Sequence, residues 1–131
     1  MDERERYEQG LSVRRAVHGN AYVDRSLQNR SEFSAPFQDL LTRYAWGEIW
    51  TRPGLPRPTR SLLTVALLVA LNRSDELRLH IHSALNNGVT REQVQEVLLQ
   101  CAIYCGIPAG NSAFRSAEQV FAEMDAAGAK K

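Results

Sequence analysis

The chain of 131 residues is poor in cysteine, with two, and poor in net charge, with 16 Lys and Arg against 15 Asp and Glu. A formal net charge of +1 gives no global field to draw in nucleic acid or an anionic membrane, so any attraction for anions is local. The longest apolar run, LLTVALLVAL at 62–71, falls well short of the roughly 20 residues that span a bilayer and reads as a buried helix. No basic, apolar leader opens the chain, because MDERERYEQG is charged from its second residue, and the expected location is the cytoplasm. Cys101 and Cys105, in CAIYC, are not a CxxC pair; four apart on a helix they share a face in a geometry that disfavours a disulfide, and both read as core residues. The histidines lack metal-ligand spacing and no HExxH occurs, so no metal is expected. Neither a GxSxG elbow nor a GxxxxGK loop is present, which leaves serine acyl transfer and nucleotide binding without support.

Helical punctuation dominates what is there. No stretch alternates with period two between turn signals, and the length suits one domain, 1–131, so the expected fold is all-α, a compact bundle of about six helices. The first is expected over about 8–29, with Gly19 as its weak point; Ser34 caps a second that runs to about Trp50 with Pro36 in its first turn. Pro53, Gly54, Pro56 and Pro58 then make a stiff connector that carries Arg52 and Arg57. A third helix, about 59–71, is apolar on nearly every side and is expected to be central. A fourth starts at Ser74 and ends at NNG, where Gly88 takes the left-handed conformation. Thr90 and Gln93 form a capping box for a fifth, with Val94, Val97, Leu98, Cys101 and Cys105 as its inner stripe. Gly106 and Pro108 end it, and a sixth occupies about 109–126 before an AAGAKK tail that is expected to fray.

The polar residues are placed by the same geometry. At 100° per residue Phe37, Leu41, Tyr44 and Glu48 share one face and Trp46 and Trp50 another, so Glu48 continues an apolar stripe. A partly desolvated carboxyl group there is either one half of a buried ion pair with a connector arginine or a group with chemical work to do. The two tryptophans read as packing or subunit contact. On the fourth helix Glu76 and His80 lie at i and i+4 along the edge of an inner side made by Leu77, Ile81, Ala84 and Leu85, while His82 projects elsewhere. A histidine in that position is either a satisfied core residue or a catalyst. Leu79, on the outer side, points to a second buried surface and so to oligomerisation.

The segments FQDLLTRYAWGEIWTRPGLPRPTRSLLTVALLVAL and ELRLHIHSALNNGVTREQVQEVLLQCAIYCGIPAGNSAFRSA together resemble the gamma-carboxymuconolactone decarboxylases, over about residues 8–123. The resemblance implies an alkylhydroperoxidase-D-like helical fold assembled as a ring of identical subunits, a trimer or hexamer. It implies a carboxy-lyase of the protocatechuate branch of the beta-ketoadipate pathway, converting 4-carboxymuconolactone to 3-oxoadipate enol-lactone without a cofactor. The peroxidases of that superfamily carry a CxxC just before the histidine; here those positions are Arg73 and Glu76, so the thiolate chemistry is missing. A redox role and a non-catalytic binder of small organic acids are the competing readings.

The implied substrate, a dicarboxylate lactone, is a dianion whose own carbonyl accepts the electron pair left by CO2. The protein must hold the dianion, stabilise charge on the lactone oxygen and supply a proton. Arg52, Arg57 and Arg60 suit the first task, since guanidinium forks bind carboxylates bidentately. His80 suits general acid or oxyanion hydrogen bonding, and Glu48 either orients it or delivers the proton.

Overall fold

A computed structural model of the chain describes residues 2–129. Seven α-helices and one π-helical stretch account for the regular structure, with no strand among the described residues: α1 Glu3–His18, α2 Asn20–Gln28, α3 Ala35–Leu40 running on as a π-helix Leu41–Ile49, α4 Arg57–Ala70, α5 Ser74–Asn86, α6 Arg91–Cys105 and α7 Ile107–Ala129. The expected all-helical class is therefore observed, and the expected first helix is two. Asp2 starts α1 well before residue 8 by accepting the Glu5 N–H at 2.8 Å, and Gly19, at φ 88°, ends it in a conformation that costs other residues a steric penalty. None of these helices is long and apolar enough to cross a membrane. The expected fraying of the AAGAKK tail is not seen as far as Ala129, the end of α7; Lys130 and Lys131 lie outside the described residues.

The chain divides into two compact units, one up to Arg57 and one from Pro58. In the first, α1 packs on the π-helical stretch around Val13, Val17 and Trp46, with Leu41 and Trp50 beside them. Two glycines make this contact possible. A Cβ on Gly10 would stand 1.9 Å from the Thr42 carbonyl oxygen and 2.8 Å from the Gly47 nitrogen; one on Gly47 would stand 2.3 Å from the Arg6 carbonyl oxygen. The two backbones therefore touch directly, and residues 41–49 follow i→i+5 hydrogen bonding, as in Trp50 N–H to Ala45 C=O at 3.0 Å. The wider turn moves the faces. Thr42, Trp46 and Gly47 point inward, whereas Phe37 and Tyr44 of the expected stripe are exposed.

In the second unit α4, α5, α6 and α7 enclose a core that includes Val65, Val69, Leu77, Ile81, Val94, Leu98, Cys101 and Val120. The Thr90 and Gln93 capping box forms as expected, with N–H to side-chain distances of 2.9 and 3.1 Å, and Gly88 has φ 90°. Gly106, at φ 107°, closes α6, while Pro108 sits in the first turn of α7, where a missing N–H is harmless. Two expectations are corrected. The helix α4 is not central: Ser61, Val65 and Val69 are buried while Leu63, Leu67 and Leu71 are exposed. Cys101 is buried as expected but Cys105 is exposed, and both thiols are free.

Because the Gly10 and Gly47 contact is backbone against backbone, no side chain can give way. Gly10→Ala and Gly47→Ala should each destabilise the protein by about 2–3 kcal/mol in urea unfolding. Gly54→Ala, where a Cβ would meet nothing within 4 Å, should stay within about 0.5 kcal/mol of wild type.

Candidate active site

Helix α5 sets the position of His80. Its inner side is Leu77, Ile81 and Ala84, fully buried, and Ser83, whose hydroxyl donates to the Leu79 carbonyl at 3.1 Å. His80 lies at the margin of that side, half-buried, and His82 is exposed, as the periodicity predicted. Desolvation is the dominant influence on His80 and lowers its pKa to about 4, against a smaller upward pull from Glu76 one turn earlier. The imidazole is therefore neutral at pH 7, with one N–H to donate and one lone pair to accept. Of the two expected roles, general acid or oxyanion hydrogen bonding, a neutral ring suits the second. The C-terminal end of α5 is tied to α4 by Asn87, whose Nδ2 donates to the Ser61 hydroxyl at 2.9 Å.

Glu48 sits on the π-helical stretch of the first unit. Arg6 of α1 stands beside it, Nε to carboxylate 3.4 Å; the Glu48 side chain is 44% exposed, so it does not continue an apolar stripe. Arg6 also holds Glu3 at 2.9 Å and lies over the Tyr44 ring at 5.2 Å, while the Tyr44 hydroxyl donates to Glu3 at 2.9 Å. Arg52 follows the π-helix, exposed, with its N–H bonded to the Ile49 carbonyl at 3.1 Å. Arg57 is the exposed first residue of α4 and not part of the connector, since Pro58 fits a first helical turn. Arg60, half-buried, is one turn further along α4, in the second unit with His80.

The tryptophans do pack. Trp46 and Trp50 have ring centroids 4.9 Å apart, and His18 meets Trp46 edge-on at 4.9 Å and Tyr22 at 5.1 Å. Sequence reasoning passed over Arg14, one turn before His18 on α1 and only 4% exposed. Its signal was the spacing: Gly10, Arg14 and His18 recur every four residues on the face of α1 that is buried. In the second unit an apolar cavity of about 440 Å³ lies between α4 and α6, lined among others by Leu62, Ala66, Val97, Cys101 and Tyr104; neither His80 nor Arg60 lines it. No cluster of three or more His, Cys, Asp or Glu able to hold a metal occurs among the described residues.

Comparison with known proteins supplies what local geometry cannot. Residues 35–119 match the model of the carboxymuconolactone decarboxylase family. The chain is 51% identical over 124 residues to a 4-carboxymuconolactone decarboxylase of Acinetobacter baylyi, covering 95% of this chain and 92% of that protein. It is 45% identical over 102 residues to a nitrosuccinic acid decarboxylase of Metarhizium robertsii, covering 78% and 71%. A 4-carboxymuconolactone decarboxylase of Pseudomonas putida is 50% identical over 48 residues, all of that sequence and 37% of this one. With residues 35–119 matching the family model and half of its residues identical to a decarboxylase of that name over nearly its whole length, the chain belongs to the carboxymuconolactone decarboxylase family.

Proposed function

We propose that the protein is a single-domain, cofactor-independent carboxy-lyase that converts 4-carboxymuconolactone to 3-oxoadipate enol-lactone, a cytoplasmic step of protocatechuate breakdown. The observation that carries this reading is the 51% identity to the Acinetobacter baylyi decarboxylase across 95% of the chain. The substrate carries an acetate arm and, on the ring carbon bearing the lactone oxygen, the carboxylate that leaves. As CO2 departs, the electron pair moves through the ring double bond onto the lactone carbonyl, and the resulting dienolate is protonated on carbon.

The residues divide this work. Arg52, Arg57 and Arg60 grip the carboxylate of the acetate arm; a firm grip on the departing carboxylate would stabilise the ground state and slow the reaction. His80, neutral because it is desolvated, donates its N–H to the lactone oxygen as charge arrives there, the role a neutral imidazole can fill without losing a proton. One such donor is worth about 10²-fold to 10³-fold in rate. Glu48 serves the protonation step, either handing over the proton itself or orienting the group that does.

A ring of identical subunits completes the reading. Leu63 and Leu67 on α4, Leu71 just after it, and Leu99, Ile103 and Tyr104 on α6 are exposed apolar side chains, more than a lone subunit ordinarily leaves in water.

Four outcomes are expected. Incubated with freshly generated carboxymuconolactone and no added metal or nucleotide, the protein should consume it faster than nitrosuccinate. His80→Ala and Glu48→Gln should each lower turnover at least tenfold with the oligomer intact, Arg52→Gln should raise KM, and His82→Ala should change little; normal turnover in both His80→Ala and Glu48→Gln would remove the assigned roles. In a proton NMR titration the His80 ring should show a midpoint near pH 4. Because that folded-state value lies below the ~6.5 of an unfolded histidine, its contribution to stability is present above pH 6.5 and is lost as pH falls towards 4. In light scattering after size exclusion, Leu67→Glu should convert a trimer or hexamer into smaller species, and an unchanged mass would exclude the open face of α4 from the subunit contact.

A further inference from the structure

Arg14 lies outside the residues that match the family model and outside every role assigned above. It is 4% exposed, an unusual place for a guanidinium unless a carboxylate is beside it. None is: its hydrogen bond runs from Nη1 to the neutral side-chain oxygen of Gln38 at 3.3 Å, and no ion pair to it occurs among the described residues. The side chains that act on it besides Gln38 are the phenols of Tyr22 and Tyr7, and Arg15 adds a like charge. Its Nε is buried with no hydrogen-bond partner. Desolvation is the largest influence on it and lowers its pKa, so the fold holds a buried cation at a cost that the Gln38 hydrogen bond and the two tyrosines offset only in part.

Burying a guanidinium unpaired is expensive, and the deficit here is specific in kind. The unsatisfied donor, Nε, belongs to the edge of the guanidinium that forks onto a carboxylate with two parallel N–H bonds. On the same buried face of α1, one turn along, His18 is stacked edge-on against Tyr22 and Trp46, and Trp46 in turn packs on Trp50. A guanidinium seeking an anion beside flat apolar surfaces suits a small, planar organic acid. We propose that Arg14, with Gln38, is an anchor for the carboxylate of a small organic acid bound in the first unit, at a place distinct from the arginines at 52, 57 and 60. Nε is closed to solvent, so the acid enters as neighbouring side chains rearrange. Where the acid is the lactone itself, the assignment rests on the function proposed above. The site is tested without turnover, and failure of one is distinguishable from failure of the other.

The probe is succinate, titrated into the full-length protein while tryptophan emission and the thermal unfolding midpoint are followed. The wild type should show saturable binding with a rise in midpoint. Arg14→Gln, confirmed as folded by circular dichroism, should weaken binding at least tenfold, and Arg14→Lys, which keeps the charge but loses the fork, should fall between the two. Absence of succinate binding by the wild type, or equal affinity in Arg14→Gln, would overturn the proposal. Should Arg14→Gln fail to fold, Arg14→Lys decides, wild-type affinity there being the contrary result. A variant that dissociates into smaller species while its succinate affinity stays unchanged also counts against it, because the missing carboxylate would then come from a second copy of the chain.

Discussion

The first unit depends on a contact between two backbones. Where Gly10 of α1 meets Thr42 and Gly47, no Cβ fits, and the π-helical hydrogen bonding of residues 41–49 is stabilised by that approach. A helix with a wider turn presents its side chains at a different spacing from an α-helix, so the contact decides which residues are core and which are not. Trp46 goes in, onto Val13 and Val17, and Glu48 comes to rest beside Arg6 at half exposure. Extended helices with i→i+5 bonding are rare and cluster at functional sites, in keeping with a segment that ends in Trp50, Thr51 and Arg52.

In the second unit the controlling quantity is desolvation. An imidazole on the margin of the α5 core loses more by being charged than Glu76, one turn away, can restore. Neutrality at pH 7 leaves the His80 ring with one N–H to donate and one lone pair to accept. Burial also separates the arginines: Arg52 and Arg57 are exposed, whereas Arg14 is kept at a desolvation cost.

Decarboxylation of a lactone asks little of a protein beyond electrostatics, because the substrate carries its own electron sink. A helical scaffold is sufficient for that: it offers cations at fixed points, a neutral donor in a dry place, and no need for a metal or a nucleotide. The relatives named as decarboxylases of 4-carboxymuconolactone and of nitrosuccinic acid share a large part of this sequence, and their two named substrates are different acids.

Local signals in the sequence were enough for the helical class, the Thr90 capping box, the left-handed Gly88, the missing CxxC and the separate orientations of His80 and His82, since each depends on residues within one or two turns. Sequence also carried the family, through two segments whose residue order is specific. What it could not carry was set by groups far apart in the chain. Position 6 pairs with 48, 3 with 44, 14 with 38 and 87 with 61, and none of these follows from periodicity. Only the folded chain decided that Glu48 faces Arg6, that Cys105 and Leu67 are open while Cys101 is closed, and that His80 is dry enough to stay neutral. The physical reason is that helix formation is governed by i to i+4 neighbours, whereas desolvation and charge pairing are sums over everything that packs nearby, which tertiary structure alone assembles.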